Sequence, residues 1–327
     1  MTLLAHPPAS GPGATAPGPG AGRQVWRRLR ARPSAVAAAA VLLVLVLLAL
    51  AAPLLAHLAG QDPNAYHDEL VDSARGGVPT GSFGGISGDH WLGVEPGTGR
   101  DLFTRLLYGA RISLLVALGA TVVQLCVGIA AGLAAALGNR FVGQLLGRFT
   151  DVMIALPMLV LGVALTAVVP PGFPRPLLLI LVIGLLGWGG TARMVRAQTL
   201  ALRGLDFVDA ARLSGSGTWR IARRELLPSL AAPVITLAAI NLPGNMVTEA
   251  SLSFLGVGVK PPTPSWGQML SSAQTWFRAD PAYVLLPAGL LFVTVLAFTV
   301  LGDGVRTALD PREGSRLRVG TRKERSA

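Results

Sequence analysis

The sequence is poor in charge and in most side chains that do chemistry. Charged residues make up 14% of its 327 positions, against about 25% in an ordinary soluble domain, while 51% are hydrophobic. A water-soluble globule is therefore excluded and lipid is the expected solvent. The single cysteine, Cys126, lies in an apolar run, so neither a disulfide framework nor a paired-thiol metal site is available. The four histidines, His6, His57, His67 and His90, are scattered without metal-ligand spacing. Only two lysines occur, Lys260 and Lys323, and they follow Val259 and Arg322. A Gly-Lys-Ser/Thr phosphate loop is thus missing, and the chain cannot cradle ATP in that way. No serine, cysteine and histidine grouping suggests nucleophilic catalysis.

Long apolar runs, glycine and proline are abundant. Residues 1–22 hold five prolines and five glycines without period, which predicts a disordered tail. Arg23, Arg27, Arg28, Arg30 and Arg32 then precede 22 apolar residues, Ala35 to Ala56, long enough to span a bilayer and longer than a secretory signal core. Further spans are expected at Ile112–Leu137, Val152–Val169, Leu177–Gly190, Leu230–Ala250 and Tyr283–Gly302. The second is free of charge, and its Gly128 and Gly132 have the spacing that admits a neighbouring helix closely. The third and fourth form a hairpin across "PPGFPRP". The fifth is interrupted at Asn241, Pro243, Gly244 and Asn245, breaks that lipid tolerates only where protein or a water-filled cavity satisfies the backbone. It is expected to line a pathway, with Asn241, Pro243, Asn245 and Glu249 as pathway or gating residues.

Six spans place both termini on one side, and positive charge indicates which. Of 28 lysines and arginines, 21 fall on the face carrying the termini and 7 on the other, so the termini are expected in the cytoplasm. This accounts for the net charge of +11 without nucleic acid. The expected organisation is a disordered basic cytoplasmic tail (1–32), a first transmembrane helix (33–58), an external segment (59–110), a core of five transmembrane helices (111–306) containing a cytoplasmic loop (191–228), and a second basic tail (307–327). Asp151, Glu249 and Asp303 are expected at span ends, and Arg100 and Asp101 as a pair or as solvated side chains.

The loop is long for a bundle connection and reads as structure of its own. A short helix is expected from Asp206 to Leu213, ended by Gly215 in a left-handed conformation. A second, Trp219 to Leu226, is capped near Thr218 and terminated by Pro228. Such a bent pair suits a groove on another protein, and equally suits arginines lying on anionic headgroups.

"DAARLSGSGTWRIARRELLP" resembles the signature cytoplasmic loop of ATP-binding-cassette import permeases. Asp209, Ala210, Ala211, Gly215, Leu227 and Pro228 occupy its positions, Asp209 replacing a glutamate and Glu225 standing where isoleucine is usual. "WLGVEPGTGRDLFTRLLYGARISLL" and "EASLSFLGVGVKPPTPSWGQML" are similar to stretches of the peptide and nickel subfamily, specifically the C-type partner of dipeptide and oligopeptide permeases. In the first, Gly93-Val94-Glu95 departs from the usual Gly-Thr-Asp.

The resemblance implies an all-α polytopic membrane protein of the type I (MetI-like) importer permease fold. It implies a non-catalytic subunit without cofactor or metal, multi-pass in the bacterial plasma membrane. It further implies a homologous second permease, two cytoplasmic ATP-binding subunits and an external solute-binding protein, with residues 206–228 as the coupling helix. Di- or oligopeptides are the implied cargo, nickel or another small solute the alternative. An ion-coupled secondary transporter and an intramembrane enzyme are the other classes, disfavoured because no ionisable residue is read at mid-span and no catalytic groups converge.

Overall fold

The computed structural model describes residues 21–81, 84–170 and 172–309. Fourteen α-helices appear among them. The first are α1 (Ala21–Arg30), α2 (Pro33–Leu50) and α3 (Ala52–Leu58). A segment with a two-stranded antiparallel hairpin follows, β1 (Val71–Asp72) and β2 (Val78–Pro79), paired Val71 to Pro79. Then come α4 (Leu102–Leu137), α5 (Arg140–Ala155), α6 (Met158–Val168), α7 (Arg175–Gly187) and α8 (Gly189–Leu202). The loop holds α9 (Asp206–Leu213), α10 (Thr218–Ile221), a π turn (Ala222–Leu226) and α11 (Leu227–Ser229). Last are α12 (Ala231–Phe254), α13 (Trp266–Ala273) and α14 (Pro281–Leu309).

Four helices, α2, α4, α12 and α14, are each long and apolar enough to cross a membrane. The pairs α5–α6 and α7–α8 reach the same standard when each is taken as one broken span, bent by 89° and 43°. That gives up to six spans.

Helix α4 is the central element, packing against α7, α8, α12, α2 and α5. At 36 residues it extends about 54 Å, well beyond a hydrocarbon core of about 30 Å, so it projects from the bilayer. Lipid supplies no hydrophobic drive for helices to associate, so close van der Waals contact must hold them, and small residues permit it. A Cβ on Gly128 would stand 2.5 Å from Thr191 Cβ, and one on Gly132 would stand 2.7 Å from the carbonyl oxygen of Ala192. The expected close neighbour of this glycine pair is α8. Lipid-facing positions such as Leu43, Leu47 and Leu50 are correspondingly apolar and exposed.

Several boundaries differ from the sequence reading. Residues 21–30 of the expected disordered tail are helical. Arg27, Arg28 and Arg30 lie in the last turn of α1, where the helix dipole favours cations, and Arg28 Nη1 donates to the carbonyl of Ala308 at the end of α14. The ends of α1 and α14 therefore lie together. Residues 1–20 and 310–327, which hold the remainder of both tails, are outside the described residues. The second span begins at Leu102, nine residues inside the expected external segment, because the Asp101 carboxylate accepts from the Thr104 amide as an N-cap. The fifth span, read as interrupted, is a continuous helix through Pro243. The Ala239 carbonyl that a residue-243 amide would have bonded instead faces α14 at Gly302, where a Cβ would lie only 3.0 Å from it.

The segment between α3 and α4, expected outside the membrane, is a folded cap. Gly99 (φ +65°) stands in the left-handed region, and any Cβ there would strike the His67 carbonyl. Arg105 Nε donates to Glu95 Oε1 at 2.6 Å, and both side chains are enclosed. Other nitrogens of the same guanidinium bond the carbonyls of Pro63 and Pro262 and Gln268 Oε1. Tyr283 Oη donates to Glu95 Oε1 at 3.0 Å. One ion pair thus ties the cap, α4, α13 and α14 together. Arg100 and Asp101 do not pair with each other. Arg100 bonds and stacks on Tyr66, and Asp101 Oδ1 lies 3.0 Å from His90 Nδ1.

Removing one partner strands a buried charge, so Arg105→Met alone should destabilise the protein by about 3–5 kcal/mol. Adding Glu95→Leu should recover most of that loss. Thermal unfolding of the purified chain in detergent measures both; equal destabilisation by the single and double variants would contradict the assignment.

Candidate functional site

The loop that the sequence reading places in the cytoplasm forms an elbow. Helix α9 ends in a Schellman motif: the Gly215 amide donates to the Arg212 carbonyl at 2.9 Å and the Ser216 amide to the Ala211 carbonyl at 3.0 Å. Gly215 has φ +77°, as the sequence reading anticipates. Gly217, rather than Thr218, is the N-cap residue of α10.

Pro228 does not end the second helix. The helical path continues through the π turn and α11, with Leu230 the sole turn residue before α12. A π turn bonds at wider spacing than an α turn, which accommodates a residue lacking an amide donor just beyond it. The Ser229 hydroxyl also donates to the Glu225 carbonyl at 2.8 Å.

Val208, Ile221 and Leu226 form a buried cluster joined by Leu137 at the end of α4 and Leu202 at the end of α8. This plug fixes the elbow to the bundle. The opposite face is open. Leu213 is 90% exposed and Trp219 77%, beside Arg220, Arg223 and Arg224. Asp209 is exposed and accepts from Arg212 at 2.9 Å. Ala210 faces outward, whereas Ala211 is half-buried against the plug. Leu227 and Pro228 are exposed. The six loop residues singled out in the sequence therefore share one elbow. Leu213 and Trp219 were missed, though large apolar side chains in so charged a stretch are themselves a signal.

A second feature is a polar seam inside the bundle. Asn245 Nδ2 donates to Thr121 Oγ1 and to Gln124 Oε1, each at 2.9 Å, and Gln124 Nε2 returns a bond to Asn245 Oδ1 at 3.0 Å. Asn241 Nδ2 reaches Thr191 Oγ1 at 3.4 Å. Pro243, Asn245 and Glu249 are buried on the face of α12 packed within this chain. The open face of α12 carries Ile240, Gly244 and Val247 instead. Glu249, expected at a membrane interface, is fully enclosed near the end of α12; Oε1 accepts from Ser253 Oγ at 2.9 Å and Oε2 has no partner. Asp151 bonds Arg193 at 2.7 Å on the surface, and Asp303 is exposed. Among the described residues no three His, Cys, Asp or Glu side chains come together as a metal site.

The family model described as "Binding-protein-dependent transport system inner membrane component" matches residues 126–314, and "N-terminal TM domain of oligopeptide transport permease C" matches residues 20–71. The di/tripeptide transport system permease protein DppC of Pseudomonas aeruginosa is 35% identical over 313 residues, covering 95% of this chain and 98% of the relative. The glutathione transport system permease protein GsiD of Pectobacterium atrosepticum is 36% identical over 228 residues, 70% of this chain and 74% of that one. Among solved structures, a chain of the MetNI methionine ABC transporter matches with a TM-score of 0.51 at 18% identity, covering 63% of this chain and 96% of its own.

Asn245→Leu should leave Gln124 Oε1 without its donor, while Nε2 keeps the Ile183 carbonyl, and cost about 1–3 kcal/mol. Combining it with Gln124→Leu should cost less than the two single changes summed, as thermal unfolding in detergent will show; strict additivity would mean that the seam carries no coupling.

Proposed function

The chain belongs to the family of binding-protein-dependent transport system inner membrane components, and from that premise we propose that it supplies half of a peptide-conducting pathway and takes its energy from cytoplasmic ATP-binding subunits. Cargo of two to several amino acids is favoured by the di/tripeptide relative, whose likeness runs nearly the full length of both chains. The proposed assembly pairs this chain with a homologous permease, two ATP-binding subunits and an external solute-binding protein. It lies in the plasma membrane with both termini cytoplasmic, as the threefold excess of arginine and lysine on that side favours. The chain is a conduit and has no catalytic role of its own.

One observation carries the reading: an elbow locked by a Schellman turn, plugged into the ends of α4 and α8, and presenting an exposed Leu213 and Trp219. Large apolar side chains held out from a rigid support mark an unfilled interface. On this proposal Asp209, Ala210, Gly215, Leu227 and Pro228 shape the docking face, and Ala211 sets its seat on the bundle. Closure of the ATP-binding subunits pushes the elbow, and the plug passes that movement to α4 and α8. Pro243, Asn245 and Glu249 act on gating by holding α12 in register with α4. The open face of α12, around Ile240, Gly244 and Val247, lines the pathway.

Two substitutions test the elbow. Gly215→Val forces a branched residue to φ +77°, where no neighbouring atom clashes and the cost is purely conformational. Ala210→Arg adds bulk to the outward face. Each should reduce co-purification with the ATP-binding subunits at least tenfold while membrane insertion stays unchanged. Undiminished co-purification of both variants, or peptide uptake into vesicles by the isolated chain without nucleotide, would overturn the proposal.

A further inference from the structure

A basic cleft lies between α4, α5 and α8, lined by none of the elbow's residues. It comprises two openings of about 190 and 480 Å³ that share Gly147, Asp151 and Arg196. The inner one is floored by small residues, Gly132, Ala135 and Ala192. The outer one carries Arg148 and Gln144, with Phe141 and Leu145 exposed at its rim.

The charges do not cancel. Asp151 is engaged by Arg193 at 2.7 Å, which leaves Arg148 and Arg196 unopposed. The Nε of Arg196 is buried without a hydrogen-bond partner. Gly147 gives room beside it, since a Cβ there would stand 3.0 Å from Arg196 Nη1. Two free guanidiniums and a buried unsatisfied donor call for an anion with several acceptor oxygens.

We propose that this cleft binds the phosphate of an anionic phospholipid in the cytoplasmic leaflet. A free phosphate ion would satisfy the arginines but gain nothing from the apolar surroundings. The exposed Phe141, Leu145 and Leu200 beside the arginines suit acyl chains. Helix α5 is the first half of a broken span, turned 89° from α6, and a place at the headgroup level for its Phe141, Leu145 and Arg148 is part of the proposal. Basic pockets between helices on the cytoplasmic side are recognised sites for such lipids. Only the choice of leaflet rests on the orientation proposed above; lipid retention is read without nucleotide or partner subunits.

The test is native mass spectrometry of the purified full chain at low ionic strength, titrated with phosphatidylglycerol, phosphatidylcholine or sodium phosphate. Phosphatidylglycerol should be retained in preference to phosphatidylcholine. Arg148→Gln with Arg196→Gln should weaken that retention roughly thirtyfold, and Asp151→Asn, which releases Arg193, should strengthen it about fivefold. Gly147→Leu should block the cleft with its charge unchanged. The gain in Asp151→Asn separates binding from misfolding, because a damaged protein does not bind more tightly. Equal retention of the two lipids, no gain in Asp151→Asn, or full displacement of the lipid by millimolar phosphate would overturn the proposal.

Discussion

The approach of α4 to α8 at Gly128 and Gly132 is the contact on which the rest of the molecule depends. Both helices are apolar where they meet, and lipid would cover either surface as readily as the other helix does. What lipid cannot match is backbone-to-backbone proximity, which sums many small dispersion terms and admits no intervening chain. Because α4 also projects beyond the hydrocarbon, it joins two polar structures that never touch. One end carries Asp101 and Arg105 to the cap, and the other carries Leu137 into the plug beneath the elbow. The close contact with α8 makes this span a rigid rod.

Most polar groups inside the bundle are paired across elements. Arg105 meets Glu95 and Gln124 meets Asn245, while the freed carbonyl near Pro243 stands against the bare backbone of Gly302. The two hydrogen-bonded pairings join cap to α4 and α4 to α12, so they fix register as well as satisfying hydrogen bonds, which apolar packing alone does poorly. Glu249 departs from this, enclosed with one oxygen unpartnered, as do Arg196 Nε and Thr199 Oγ1 on α8. A buried carboxyl with only serine hydroxyls nearby is a local weak point of the interior. It lies where α12 meets α13, on the cap side of the bundle.

Much of the architecture was legible because the bilayer imposes a length on each span and a charge asymmetry on each loop. Apolar runs at 35–56, 112–137 and 283–302 give helices at nearly those positions. The glycine pair reveals a close neighbour, and the Gly215 bend can be read from the pattern of its neighbours. What escaped reading was cross-chain pairing. Nothing local marks Arg105 as the partner of Glu95, since the side chains meet only after the cap folds back over α4. Pro243 misled for a related reason: proline predicts a break when the freed carbonyl has no neighbour, and Gly302, 59 residues further on, supplies the room. The exposed Leu213 and Trp219 were obscured by the six residues of the loop signature, although their size and setting were already in plain view.

The π turn at Ala222–Leu226 has a geometric consequence for the whole elbow. Each residue of an α-helix advances the azimuth of the next by about 100°, and a π turn amounts to one residue more than an α turn would hold. The compass direction of Trp219 and its arginines, relative to the side of α12 that packs on α4, is therefore set by a single inserted residue. Like one tooth on a gear, it changes the height of the elbow by little and its heading by more than a quarter of a circle.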